Sequence, residues 1–260
     1  MSNVTARRGT RGPLRAEDLR SGDPYELSDG HPVFCAPSGG DGARGSGLGF
    51  AVLDSDPAVE AAGVEPGYSP EPQMLRAPDV GVGNVPDRSG WISGVPPLAV
   101  EYASVGQDEA ELQAKIADLL GRGTRSVWVV RLLGPRRVEV YEPGCAMRIV
   151  SPGERLAAPG LLRNEVPVEA LYDRDAAHEI SLRNLLQRRG YEGLEAVRAE
   201  GRAEGREQGR TEVLRQTLRD LCEALGLGWT QELERRVAGL DAAALDELRE
   251  TLKRDRRLPE

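Results

Sequence analysis

Lysine is almost missing from this chain of 260 residues. Of its 34 basic residues only Lys115 and Lys253 are lysine, so surface cations have drifted to arginine and a surviving lysine marks a place where a compact point charge is needed. Cysteine is nearly as rare. Cys35, Cys145 and Cys222 lie far apart without metal-ligand spacing, which excludes a structural zinc site or a disulfide framework and fits a reducing cytoplasm, the expected location. The two histidines, His31 and His178, have no nucleophile or carboxylate at useful spacing, so Cys/His nucleophilic catalysis is excluded as well. No apolar run approaches the roughly 18 residues of a membrane span, and Arg7, Arg8, Arg11 and Arg15 lead into no apolar stretch of the kind a signal peptide has. No membrane partner is expected. Aromatics make up only 4% of the chain against 31 glycines and 18 prolines, so much of it is turn and loop, while 39% hydrophobic residues suffice for an ordinary core.

The net charge of −8 is unevenly placed. Residues 179–260 hold 16 basic and 17 acidic residues, so nearly all of the excess acid falls on residues 1–178. Such a surface disfavours strong non-specific DNA binding, although a cluster of metal-binding carboxylates would add to the same excess.

Three regions follow from the pattern. Residues 1–22 read as a basic tail, disordered at its start, with a short helix at Arg15–Arg20. Residues 23–178 read as an α/β domain with a mixed sheet. Tyr25-Glu26-Leu27 and Val33-Phe34-Cys35 flank Ser28-Asp29-Gly30 as a hairpin, and Gly39–Gly49 lacks Gly-Lys-Ser/Thr and reads as a flexible connection. Leu98–Ala103 is a strand whose only charge is Glu101, Asp108 to Leu120 is an amphipathic helix, and Ser126–Val130 and Arg137–Tyr141 are further strands.

Residues 179–260 read as a charged all-helical extension. Arg198, Arg202, Arg206 and Arg210 form one slowly turning row, Glu200, Glu204 and Glu212 a second, and Gly201, Gly205 and Gly209 a third. A solvated helix and a self-association surface over residues 193–226, coiled-coil-like through Leu214, Leu218, Leu221 and Leu225, are both open readings. Thr230–Ala238 and Asp241–Arg254 read as two capped helices.

The residues able to carry chemistry are Asp79, Glu101 and Lys115. If the Asp79 and Glu101 strands are neighbours, both carboxylates reach one divalent cation together with the Tyr102 backbone carbonyl, and oxygen-only ligation suits Mg²⁺ or Mn²⁺. Lys115 borders the apolar face of its helix, 60° from Leu112 and 40° from Leu119 at about 100° per residue, and supplies the positive charge. Taken singly, the three also read as a turn residue, a strand charge and the i,i+4 partner of Glu111.

Tyr25-Glu26-Leu27-Ser28-Asp29-Gly30, Ala77-Pro78-Asp79-Val80, Pro96-Pro97-Leu98-Ala99-Val100-Glu101-Tyr102-Ala103-Ser104, Lys115 and the later strands resemble the bacterial restriction endonuclease-like proteins of the PD-(D/E)XK phosphodiesterase superfamily over roughly residues 20–175. The resemblance implies a mixed sheet flanked by helices and a Mg²⁺- or Mn²⁺-dependent endonuclease acting on DNA. Its aspartate matches Asp79, its glutamate Glu101, and its lysine, moved to the following helix, Lys115; Glu26 becomes a fourth group of the site, also acidic. The superfamily's usual lysine position is Ala103 here, and the long helix expected before Asp79 is replaced by the glycine- and proline-rich stretch from Gly39 to Pro78. Arg122 and Arg125, at the end of the helix, could contact a phosphate backbone. The alternative function is a nuclease fold that has lost activity and serves in binding or assembly through its C-terminal helix.

Overall fold

The protein is described by a computed structural model covering residues 13–258, so the disorder expected at the start of the chain falls outside the described residues. Two compact units, residues 1–190 and 191–260, are treated separately.

The first described residues of this unit are docked, in contrast to the free tail expected there; residues 1–12 of that expected tail lie outside the described residues. Leu14 N donates to Gly30 O, Ala16 N donates to Pro72 O, and the expected short helix is a single 3₁₀ turn at Ala16–Asp18. Strands β1 (Tyr25–Ser28) and β2 (His31–Phe34) pair antiparallel with Ser28 opposite His31. Asp29 and Gly30, both at positive φ (46° and 77°), make the two-residue turn that matches strand twist.

Helix α1 (Gly40–Asp54) occupies the stretch that reads as a flexible connection. Local propensity fails there because the glycines meet a neighbour. Gly45 and Gly49 lie one helical turn apart beneath the ring of Tyr102, and a Cβ at either would sit 2.6 Å from Tyr102 Cδ1 or 2.0 Å from its hydroxyl oxygen. The helix expected before Asp79 is therefore present.

The main sheet has six strands in the order β3-β4-β5-β6-β7-β8. They are β3 (Ala62–Val64), β4 (Val80–Val82), β5 (Leu98–Ala103), β6 (Ser126–Arg131), β7 (Arg137–Tyr141) and β8 (Arg148–Val150). Only β5 and β6 pair in parallel, and helix α2 (Glu109–Gly121) is the crossover between them. Asp108 caps α2, accepting from Ala110 N and Glu111 N at 3.0 and 3.1 Å.

Alternation along the strands separates two cores. Leu98, Val100, Tyr102, Trp128 and Val130 share a cluster with Val52 and Leu53 of α1, whereas Ala99, Ala103, Val127 and Val129 share one with Leu112, Ile116 and Leu119 of α2. Glu101 has the same parity as Ala99 and Ala103 and so projects toward α2. A small pair, β9 (Arg155–Leu156) with β10 (Val166–Pro167), precedes α3 (Arg174–Arg188). Asn184 donates to Val52 O, and Arg188 donates to the carbonyls of Asp54, Ser55, Asp56 and Val59 at the end of α1. These bonds tie α3 to the first unit and move the boundary from 178 to 190.

In the second unit, α4 (Leu194–Ala224), α5 (Gln231–Ala238) and α6 (Ala242–Asp255) bury Leu214, Leu218, Cys222, Leu233, Val237, Leu245 and Leu252 together. Thr230 and Asp241 cap α5 and α6. No described helix is long and apolar enough to cross a membrane.

Candidate active site

Asp79 sits one residue before Val80, whose ladder partner is Val100, so the aspartate reaches the strand edge beside Glu101. Its Oδ2 accepts from the Tyr102 N–H at 2.6 Å. The Ala103 carbonyl is engaged by Leu132 N on the β6 side; by alternation the Tyr102 carbonyl turns to the β4 side, where Asp79 lies.

Lys115 reaches into this corner from α2. Its ammonium lies 2.9 Å from Glu101 Oε1, 3.2 Å from Glu101 Oε2 and 3.0 Å from Glu26 Oε1, and it donates to Ala77 O at 2.7 Å. The structure thus brings Glu26, Asp79, Glu101 and Lys115 together. Glu111 is not the partner of Lys115.

Glu111 belongs to a shell that the sequence does not reveal, built on Arg76. This arginine is fully buried, and its fork touches Glu26 Oε2 (3.1 Å), Glu111 Oε1 (2.6 Å) and Asp118 Oδ2 (2.7 and 2.9 Å). Ser28 Oγ also donates to Asp118, at 3.0 Å. Glu111, Lys115 and Asp118 stand at i, i+4 and i+7, a charged row beside the apolar face of α2. That spacing was the available signal for the two acids; Arg76 had none beyond its place three residues before Asp79.

The electrostatics follow from crowding. Burial, reinforced by Asp79 and Glu26 and opposed by Lys115, pushes the Glu101 carboxyl up to about 8. Burial likewise raises Asp79, against the pull of Lys115 and of the Tyr102 amide. For Lys115 burial disfavours the charge, but Glu101, Glu26 and Asp79 outweigh it and hold the ammonium above its ordinary range.

Five carboxylates, Glu26, Asp79, Glu101, Glu111 and Asp118, thus surround two cations, Lys115 and Arg76. Among the described residues no three acidic, His or Cys side chains form a ready-made metal cage, because the Lys115 ammonium stands between Glu26 and Glu101. Two observations nevertheless suit a divalent cation at Asp79 and Glu101. The site carries excess negative charge, and buried Glu101 Oε1 makes no well-directed hydrogen bond even though the ammonium is near. Mg²⁺ typically takes only one or two carboxylates, leaving its other positions to water and phosphate.

The two arginines expected to face a phosphate backbone are occupied. Arg122 pairs with Asp118 (3.2 Å), Glu71 (3.3 Å) and Asp29 (3.6 Å). Arg125 donates to Pro159 O at 2.9 Å and immediately precedes β6, whose Val129 is the residue opposite Glu101.

No family model and no curated protein matches the chain. Among solved structures, its fold is similar to that of a protein from Anabaena variabilis described as "a putative nuclease belonging to DUF820", with a TM-score of 0.52 and 18% identity over 64% of this chain and 99% of that one. At that identity the likeness speaks for the fold: a central mixed sheet flanked by helices, of nuclease-like architecture.

Proposed function

We propose that the first unit is a metal-dependent endonuclease of the PD-(D/E)XK kind, hydrolysing DNA phosphodiester bonds. The observation that carries this reading is the buried Lys115 ammonium, held 2.9 Å from Glu101 and 3.0 Å from Glu26 beside Asp79. A structural salt bridge needs one acid, whereas this one is overloaded.

Mg²⁺ or Mn²⁺ held by Asp79, Glu101 and the Tyr102 carbonyl would polarise a phosphate oxygen and acidify a water. Glu101 must lose its proton to serve there. Lys115, kept charged by its acids, exchanges one of them for a phosphate oxygen and stabilises the charge that builds during in-line attack, a contribution of about 3 kcal/mol by analogy with single oxyanion-hole donors. Glu26 positions Lys115, and Arg76 holds Glu26.

One reading competes. The acidic surface and the engagement of Arg122 and Arg125 favour an inactive nuclease fold used for assembly. Cleavage of supercoiled plasmid and single-stranded DNA with Mn²⁺ or Mg²⁺, run beside Asp79→Asn and Lys115→Ala, separates the two. We expect cleavage by the wild type and loss of at least about a hundredfold in each variant. Mn²⁺ titration by calorimetry adds a second readout: binding indifferent to Asp79→Ala supports the assembly protein.

A further inference from the structure

We propose that the exposed half of α4 is a self-association surface, and that its occupant is the same helix of a second copy of this chain, packed parallel to it. The apolar packing of α4 within its own unit is confined to its later part, through Leu214, Leu218 and Cys222; ahead of them Arg210 lies 3.8 Å from Asp246 of α6. Residues 198–210 are all exposed, a stretch about 20 Å long at the α-helical rise.

Within the chain Arg198 and Arg202 reach Glu195 at 2.6 and 4.0 Å and Arg210 reaches Asp246, weak exposed pairs that a partner can replace, and the order of charges suits such a partner. Relative to each of Gly201, Gly205 and Gly209, the residues three before and one after stand about 60° and 100° to one side of the helix, and all of them are arginine: Arg198, Arg202, Arg206 and Arg210. The residues one before and three after stand as far to the other side, and they are Glu200, Glu204, Gln208 and Glu212. A period of four also places like charges at i,i+4, which weakens the helix when it stands alone. The intervening glycines have nothing within 4 Å, and each costs about 1 kcal/mol of helix stability relative to alanine. The charges and the glycines both disfavour this helix in isolation and favour it against a matching surface.

Symmetry selects the orientation. A two-fold axis parallel to two facing helices sets the arginine flank of each copy against the acidic flank of the other. The axis that makes the pair antiparallel sets arginine against arginine. The glycine row turns about 40° per repeat, following the i±4 ridge, so the helices cross at about −40° to −50° near Gly205, where no Cβ holds the axes apart. Contact is therefore local, unlike the seam of a heptad coiled coil.

Sedimentation of the full chain tests this independently of nuclease activity. The wild type is expected at twice 28.1 kDa, dissociating as salt rises. One variant carries Arg198→Glu, Arg202→Glu, Arg206→Glu and Arg210→Glu; a second carries Glu200→Arg, Glu204→Arg, Gln208→Arg and Glu212→Arg. Each alone should dissociate roughly tenfold or more readily, and an equimolar mixture should pair again, which misfolded variants would not do. Orientation is read by cross-linking in a Cys35→Ser, Cys145→Ser background: Gly201→Cys and Gly209→Cys should each cross-link to itself. A monomeric wild type, a mixture that fails to pair, or cross-linking only between the two different cysteine variants overturns the proposal, as does an arginine flank whose reversal abolishes DNA binding and leaves the mass unchanged.

Discussion

Substituting glycine by alanine at two nearby positions of α1 should change stability in opposite directions. At Gly47 an added Cβ meets nothing within 4 Å, whereas at Gly45 it meets Tyr102 Cδ1 at 2.6 Å and Cε1 at 2.7 Å. Unstrained carbon contacts need about 3.5–4.0 Å, so ring and helix must part by about 1 Å. Neither yields cheaply: the Tyr102 hydroxyl donates to Leu171 O at 3.0 Å, and Val52 and Leu53 anchor α1 in the core. Overpacking of this size costs about 1–3 kcal/mol and a weakened buried hydrogen bond about 1 more. Alanine returns about 1 kcal/mol of helix propensity. The expected net is a loss of about 1–3 kcal/mol for Gly45→Ala and a gain of up to about 1 kcal/mol for Gly47→Ala.

Urea unfolding followed by tryptophan fluorescence measures both. Trp128 is fully buried in the first unit and Trp229 belongs to the second, so a Trp229→Phe background confines the signal to the unit in question. In a Tyr102→Ala background the penalty at Gly45 should vanish and Gly45→Ala should become stabilising. Equal effects at positions 45 and 47, or a penalty that survives removal of the Tyr102 ring, would refute the account of why this glycine-rich segment is helical. Because the Tyr102 N–H holds Asp79, Gly45→Ala should also weaken Mn²⁺ binding.

Four further outcomes are expected. Arg76→Met takes the cation from Glu111 and leaves Glu26 with Lys115 alone and Asp118 with Arg122 alone; it should cost about 3 kcal/mol in the same unfolding assay, with a loss below about 1 kcal/mol showing the network to be no tighter than a surface pair. The Glu101 carboxyl is raised in the folded protein, so its contribution is complete below the ordinary glutamate range near 4.5 and is lost as pH rises toward about 8; metal-free protein should lose up to about 1.4 kcal/mol per pH unit across that window relative to Glu101→Gln, and parallel curves would contradict it. Asp108→Ala removes the cap of the helix carrying Lys115 and should cost about 1 kcal/mol by thermal unfolding, while Asp108→Ser should cost little. Lys115→Arg should abolish plasmid cleavage as fully as Lys115→Ala does.

What the sequence made legible was local or periodic. Asp29-Gly30 announced a two-residue hairpin, the apolar run around Glu101 announced a strand, and Asp108, Thr230 and Asp241 announced helix starts, each signal lying within a few residues of the structure it specifies. Helix α1 was hidden because its glycines answer to Tyr102, half a sheet away in sequence. The same limit applied to the site: Asp79, Glu101 and Lys115 stood out as charges in apolar settings, but the role of Arg76 depends on three acids contributed by β1 and α2. The partners of Arg122 and Arg125 were equally hidden, since Glu71, Asp29 and Pro159 come from distant segments of the chain.

The scarcity of lysine has a physical counterpart in this pair of cations. Arg76 meets acids spread around its plane, with Nη1 toward Glu26 and Glu111 and with Nε and Nη2 toward Asp118, an arrangement that uses the breadth of a guanidinium. Lys115 has Ala77 O, Glu26 Oε1 and both Glu101 oxygens between 2.7 and 3.2 Å of a single atom. A planar fork cannot place one nitrogen among four oxygens without driving its others into the wall formed by β5. In a unit whose other basic residues are all arginine, the site therefore keeps one of each: the fork where acids must be spread and fixed, and the point charge where, in the proposed reaction, an acid would be released to a phosphate.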